Sequence, residues 1–117
     1  MDFYIFTSLK LFYENITGND IIPKEFALET VLNQTLDLMK SLSEDDGSFF
    51  GLITDKDLII QFSKYNRFMW LIEIPAPERE GSWTAICNPV RLNKIIEDIF
   101  EDKNPFLLCD FKFENYE

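Results

Sequence analysis

The chain has 117 residues, of which 46% are hydrophobic and 15% aromatic, so residues 1–117 can form a single folded domain and a disordered protein is excluded. The formal net charge of −10 disfavours nucleic acid as a partner, because binding to it depends on Lys and Arg displacing counterions from phosphates. Histidine is absent, which removes the commonest general base and the commonest metal ligand. The composition therefore predicts a basic protein partner, no cofactor and no enzymatic activity.

Cysteine usage and the apolar runs bear on the compartment. The spacing of Cys87 and Cys109 is not that of metal ligands, and we expect both side chains to be buried free thiols. Apolar runs such as Phe68–Ile72 are far shorter than the ~20 residues that cross a bilayer. The start of the sequence lacks the basic region of a signal peptide. We therefore expect a cytoplasmic protein with no membrane partner.

The N-terminal half is predicted to contain one strand and one long helix. Residues 3–13 are apolar enough for a strand, although some of them also follow helical spacing. Residues 15–20 are rich in Asn, Gly and Asp, which predicts a loop. A helix is expected from Pro23 to about Leu42, because Pro favours the first helical position and one apolar stripe follows it. The stripe consists of Leu28, Leu32, Leu36, Met39 and Leu42.

The C-terminal half is predicted to begin with an antiparallel meander. Short polar turns separate three segments with strand-like alternation, which are Phe49–Thr54, Leu58–Ser63 and Arg67–Ile74, and a fourth strand is expected at Ser82–Cys87. In the third segment, alternation places Phe68 and Trp70 on one face and Glu73 on the other. Pro75–Gly81 is expected to protrude as a loop, because its two prolines lack the N–H that a ladder needs.

The last segments complete the predicted architecture. Asn88 can cap a helix that Pro89 begins and that ends near Asp102. Phe106–Phe113 alternates like a half-buried strand. Each predicted helix has one apolar stripe, and in most predicted strands apolar and polar residues alternate. Such elements bury their apolar surfaces most simply when the strands form one sheet and the helices cover one of its faces. We therefore predict an α+β fold with a mainly antiparallel sheet of five to six strands covered by two helices.

Negative charge is concentrated at the two ends of the sequence. Residues 1–48 and 97–117 carry net charges of −6 and −5, and residues 49–96 carry +1. At the end of the second helix, like charges four residues apart cost about 0.2–0.5 kcal/mol per pair, and the helix dipole also disfavours anions. We predict partner binding there through Glu97, Asp98, Glu101 and Asp102. Two later acids, Asp110 and Glu114, are candidates for an extension of this surface. A solvated face relieved by Lys94 and Lys103 is the alternative interpretation.

A second candidate surface combines carboxylates from two turns. Its candidate binding residues are Asp45, Asp46, Asp55 and Asp57, with Glu44 beside them in the loop. Clustered oxygen ligands can also bind Ca²⁺, but the spacing does not match an EF-hand loop, and a solvated loop is the plainer alternative. Trp83, which follows the proline loop, is a further candidate for partner binding, because aromatic residues often anchor protein interfaces. Core packing is the competing interpretation for Trp83.

No arrangement of catalytic residues stands out. Glu73 is the acid within an apolar run, but alternation directs it to solvent, whereas a catalytic acid needs a buried site that raises its pKa. Ser48 and Ser82 each follow a glycine, yet neither lies in a nucleophile elbow and no histidine can serve as the base. The sequence therefore favours binding over catalysis.

Three segments carry a family resemblance: Asp46–Ile53, Leu58–Phe62 and Ile72–Trp83, followed by a closing helix. Together, over roughly residues 24–102, they resemble small bacterial immunity proteins of polymorphic toxin systems, including those of contact-dependent growth inhibition. The resemblance implies a cytosolic protein that binds one cognate toxin domain, often a nuclease, and blocks its active site or a necessary surface. It implies a role and no individual binding positions.

The sequence thus favours an immunity protein that neutralises a basic toxin C-terminal domain by stoichiometric binding. An acidic inhibitor would gain electrostatic steering toward a basic nuclease domain. Two alternatives stay open. One is an acidic nucleic-acid mimic, of the kind in which a phage protein antagonises a host nuclease. The other is a hydrolase with two catalytic carboxylates, which would need a cleft that buries an acid.

Overall fold

The computed structural model describes residues 9–15, 20–42 and 47–116, which form one antiparallel sheet with helices on one face. The strands are β1 (Leu9–Asn15), β2 (Asp20–Ile22), β3 (Leu28–Thr30), β4 (Phe49–Ile53), β5 (Ile59–Lys64), β6 (Trp70–Ala76), β7 (Gly81–Cys87) and β8 (Lys112–Asn115). The helices of this part are α1 (Leu32–Ser41) and α2 (Pro89–Phe100). Short 3-10 turns lie at Lys24–Phe26, Pro77–Arg79 and Pro105–Leu107. The predicted α+β class is confirmed, with slightly more strands than the five to six expected.

The sheet follows the chain closely. Its order is β2-β1-β4-β5-β6-β7-β8, and β3 also pairs with β1. The predicted meander of β4, β5 and β6 is confirmed, and β7 continues it, because each of these strands pairs with the next in antiparallel register. The side chain of Asn66 holds the turn between β5 and β6, where its Oδ1 accepts hydrogen bonds from the N–H groups of Phe68 and Met69 at 2.9 Å. Local turn chemistry therefore determines the centre of the sheet.

The N-terminal helix is shorter than predicted. It begins at Leu32 instead of Pro23, since Pro23 is extended and residues 28–30 form β3 against Leu9–Leu11. Leu28, assigned to the buried stripe, is 59% exposed. The prediction was wrong because the open edge of β1 offers backbone partners that outweigh a moderate helical preference. The predicted strand at residues 3–13 is confirmed for residues 9–13 and continues to Asn15, and residues 3–8 lie outside the described residues.

Two further predictions need correction near the end of the sheet. Strand β6 continues through Pro75 to Ala76, and only a tight turn separates it from β7. Beyond Glu73, β6 pairs with β7 alone, so the missing N–H of Pro75 is tolerated. The predicted strand at residues 106–113 is mostly a 3-10 turn and coil, with β8 beginning at Lys112.

The core lies between the sheet and the two helices. Phe50, Phe62 and Ile72 occupy one row across β4, β5 and β6, and the rings of Phe50 and Phe62 stack at 4.8 Å. The helical residues that cover this face are Met39 from α1 and Leu92, Ile95, Ile96 and Ile99 from α2. The second helix agrees with its prediction, since Asn88 Oδ1 accepts a hydrogen bond from the N–H of Arg91 and Pro89 follows the cap.

Candidate partner-binding surface

At the acidic end of α2, some carboxylates pair with lysines and others do not. Asp98 is 8% exposed, and its Oδ1 lies 3.2 Å from Nζ of Lys94 and 2.9 Å from Nζ of Lys103. Lys103 also lies 3.2 Å from Oε2 of Glu101. Glu97 is half-buried and accepts a hydrogen bond from the side chain of Asn93. Because two lysines offset the charge of Asp98, this residue stabilises the helix end and contributes little negative potential to the surface.

Asp102 lies just beyond the helix and has a structural role. Its φ of 63° is left-handed, and its N–H bonds to the carbonyl of Ile99 while the N–H of Lys103 bonds to that of Asp98. These bonds form a Schellman motif, in which the left-handed position usually carries glycine. Asp tolerates this conformation better than most other residues. The side chain of Asp102 is exposed and available to a partner.

Asp98→Asn is expected to lower the midpoint temperature of unfolding more near pH 7 than near pH 2. The hydrogen bond from Lys103, together with Lys94, outweighs burial and holds the pKa of Asp98 below its ordinary value. The stabilisation is therefore complete above the unfolded pKa of about 3.9 and is lost as the pH falls through the lower folded pKa. Thermal unfolding across this range measures the effect, with exposed Asp37→Asn as control. A difference that does not vary with pH would contradict the prediction.

The β4–β5 turn places Asp55 beside the end of α2. Thr54 organises the turn, because its hydroxyl accepts hydrogen bonds from the N–H groups of Lys56 and Leu58. Asp55 and Asp102, distant in the sequence, line one groove of about 460 Å³ together with Lys56 and Lys103. The structure therefore brings together one acid from each of the two predicted acidic surfaces. The same groove also carries lysines, which the charge count alone does not reveal.

Of the other candidate residues of the second surface, Asp57 is the one that the structure describes. Asp57 has a left-handed φ of 62° and lines a neighbouring groove of about 310 Å³ with Lys10 and Lys24. Asp45 and Asp46 lie outside the described residues. Their assignment to a partner surface therefore stays a prediction.

Trp83 is part of an aromatic cluster, which we define as Trp83, Phe106, Phe111 and Phe113. The Trp83 ring makes edge-to-face contacts with Phe106 at 6.3 Å and with Phe113 at 5.1 Å. Phe106 and Phe111 are 6.2 Å apart. Trp83 lies opposite buried Ile74 in the sheet and packs against the core, yet it also lines an open pocket of about 550 Å³. Trp83 thus packs against the core and also borders an open pocket, and its role in partner binding stays a prediction.

Asp110 and Glu114 lie on different sides of this region. Asp110 is exposed and lines the pocket beside the aromatic cluster. Glu114 lies opposite Ser82, on the sheet face away from the helices, near Glu73. Partial burial, and secondarily the charge of Glu114, raises the pKa of Glu73, which is half-buried. The two predicted extensions of the acidic helix end therefore do not form one surface.

Sequence reasoning missed the neighbours of Trp83. Arg79 lies over the rings of Trp83 and Phe113, at 5.3 Å and 4.5 Å from their centroids. Phe106 reaches Trp83 because Asn104 caps the 3-10 turn after α2 and the side chain of Arg91 donates to the carbonyl of Leu108 at 2.7 Å. Pro105 after Asn104 was a signal for this turn. No local pattern indicates which strand the turn covers.

Thiol chemistry and metal binding have little support in the described residues. Burial raises the pKa of Cys87 to about 11, and burial also raises that of Cys109, so both thiols stay protonated near neutral pH. Cys87 is buried and Cys109 half-buried, in keeping with the prediction of buried thiols. Within residues 9–15, 20–42 and 47–116, no three His, Cys, Asp or Glu side chains are grouped as metal ligands would be.

Comparison of the chain with models of protein families, with curated proteins and with solved structures found no match. In the part of the chain that the structure describes, no helix is both long and apolar enough to cross a membrane.

Proposed function

We propose that this protein is an immunity protein that acts in the cytoplasm and neutralises a cognate toxin domain by stoichiometric binding. The toxin is a basic C-terminal domain, of the nuclease class, and the protein performs no chemical step. The resemblance of three sequence segments to immunity proteins of contact-dependent growth inhibition motivates the proposal.

The observation that carries the proposal is the surplus of exposed carboxylates. Among the described carboxylates, those within 4.0 Å of a lysine or arginine nitrogen belong to Asp98 and Glu101. The exposed acids of the candidate surfaces without such a partner are Asp55, Asp57, Asp102, Asp110 and Glu114. With a net charge of −10, they attract a basic domain and steer its approach, because complementary charge raises association rates.

The arrangement of the acids supports an immunity protein better than a mimic of nucleic acid. A mimic would need a row of unpaired carboxylates with the spacing of phosphates. At the acidic end of α2, Lys94 and Lys103 interrupt such a row, and Asp98 is buried between them. The aromatic cluster next to Asp110 is also typical of protein interfaces, which are enriched in Trp, Phe and Arg.

The test is association with the toxin domain encoded immediately upstream. In the test variant, two acids that line the groove between the β4–β5 turn and α2 are neutralised, Asp55→Asn and Asp102→Asn, together with the neighbouring acid at the end of α2, Glu101→Gln. Asp98 is retained because it supports the fold. We expect the association rate constant at low salt to fall by roughly tenfold and its salt dependence to flatten, since steering depends on local charge. Stopped-flow mixing at several salt concentrations measures both quantities.

A control variant with the same net charge separates local from overall electrostatics. It neutralises three exposed acids elsewhere: Glu29→Gln, Asp37→Asn and Glu78→Gln. We expect its association rate to stay closer to that of the natural protein. Failure of the natural protein to bind the toxin, or to protect cells that express it, would refute the proposal. Equal losses in both variants would refute the groove as the docking surface.

A further inference from the structure

The open pocket beside Trp83 has three aromatic walls. Trp83 and Phe106 are almost perpendicular, with an interplanar angle of 85°, and Phe106 and Phe111 meet at 64°. The pocket of about 550 Å³ is lined by these three rings, Cys109 and Asp110. Phe106 is 39% exposed, so part of its ring is accessible from solvent. The face of an aromatic ring is the negative side of its quadrupole, so a ring face that borders the pocket attracts a cation.

A carboxylate completes the pocket and has no cationic partner in the described residues. No nitrogen of a described lysine or arginine side chain lies within 4.0 Å of a carboxylate oxygen of Asp110. Arg91, which lines the adjacent cavity with Asp110, donates instead to the carbonyl of Leu108. A negative charge beside electron-rich ring faces favours a cation, because the Coulomb attraction and the cation–π attraction act in the same direction.

The aromatic cluster already binds one guanidinium group from its own chain. Arg79 lies 4.5 Å from the centroid of Phe113 and 5.3 Å from that of Trp83. It does not line the pocket, which is bounded by Trp83, Phe106 and Phe111. The planar guanidinium of Arg79 therefore stacks on one part of the cluster, and the ring surfaces that line the pocket are not covered by it. Arginine suits such surfaces better than lysine, since its planar group stacks on rings and can also bond both oxygens of a carboxylate.

We propose that this pocket is a binding site for an arginine side chain, stacked on an aromatic ring face that borders the pocket and paired with Asp110. The source of the arginine is the surface of a basic protein partner, and this part of the proposal rests on the immunity function proposed above. The site would be a hot spot of that interface, because it combines a partly buried tryptophan with a charged pair.

The first experiment needs no partner. Nα-acetyl-arginine amide is titrated into the protein and the indole N–H resonances are followed by NMR. We expect the Trp83 resonance to shift with a dissociation constant in the millimolar range, as for a single weak contact. The resonance of Trp70, which is 2% exposed, serves as an internal reference and should stay in place. Absence of a Trp83 shift, or an equal shift for both tryptophans, would overturn the proposal.

Variants and competing cations sharpen the test. Asp110→Asn keeps the shape of the pocket, and Phe106→Ala removes a wall; each should weaken binding of the arginine probe at least about fivefold. Asp37→Asn, which removes an exposed carboxylate of α1, should leave binding unchanged. Nα-acetyl-lysine amide and tetramethylammonium should bind more weakly than the arginine probe. Retained binding by Asp110→Asn, or tighter binding of either competing cation, would overturn the assignment to arginine.

The partner experiment distinguishes this proposal from the proposed function. With the toxin domain, Asp110→Asn should raise the dissociation rate by about tenfold or more, because it removes one member of a charge pair. If the natural protein binds the probe and not the toxin, the immunity function fails and the arginine site stands. If it binds the toxin and not the probe, or if Asp110→Asn leaves dissociation from the toxin unchanged, the arginine site fails and the immunity function stands.

Discussion

Trp70→Ala is expected to lower the free energy of unfolding by about 3–5 kcal/mol, whereas Phe68→Ala should change it by less than about 0.5 kcal/mol. The two residues are two positions apart, and simple alternation assigns them to the same buried face. In the structure, Trp70 is 2% exposed and its ring lies 5.8 Å from that of Phe50. Phe68 precedes β6 and is 70% exposed. Removing Trp70 leaves a cavity in the core, and removing Phe68 leaves none.

Urea denaturation of the two variants measures the difference. For a domain with a typical stability of about 5–15 kcal/mol, the Trp70→Ala variant would be close to unfolding, so Trp70→Phe provides a milder second substitution. We expect Trp70→Phe to be destabilised less than Trp70→Ala and more than Phe68→Ala. Comparable losses for Phe68→Ala and Trp70→Ala would mean that β6 begins before Trp70.

Gly51→Ala is expected to lower the free energy of unfolding by about 1–3 kcal/mol, because the site has no room for a methyl group. Gly51 pairs with Phe12 across β4 and β1, and a Cβ at Gly51 would clash with the Phe12 ring, most severely with Cζ. The ring is 3% exposed and touches Phe49 edge-to-face at 6.2 Å. Since the ring is packed between its neighbours, it cannot move aside without loss of contacts. The glycine is required here for space, on the sheet face away from the helices.

A double-mutant cycle tests the cause. Phe12→Ala removes the ring, so Gly51→Ala should cost much less in that background than in the natural protein, with a coupling energy of about 1 kcal/mol or more. Chemical denaturation of the natural protein, both single variants and the double variant gives the four free energies. If Gly51→Ala costs the same with and without the ring, the clash is not the cause, and a preference of the backbone for glycine would explain the loss.

Local sequence patterns were sufficient to predict those elements whose contacts join residues close in the sequence. The polar turns around Asp55 and Asn66 and the alternation between them predict the β4–β6 meander, because hairpin neighbours are close in sequence. Asn88 and Pro89 predict the start of α2 for the same reason. Lys94 lies one helical turn before Asp98, so their ion pair follows from the sequence as soon as the helix is assigned.

Distant contacts decided the features that sequence reasoning missed. Residues 28–30 form a strand because Leu9–Leu11 lie beside them, and no local signal competes with the apolar stripe that favours a helix. The pocket of Trp83, Phe106, Phe111 and Asp110 exists because the segment after α2 returns over β7. The composition and spacing of the residues therefore determined the α+β class, the acidic character and the central strands. The tertiary structure decided which carboxylates are neutralised by lysines and which ring faces stay open, because both depend on pairs of residues that only the folded chain brings together.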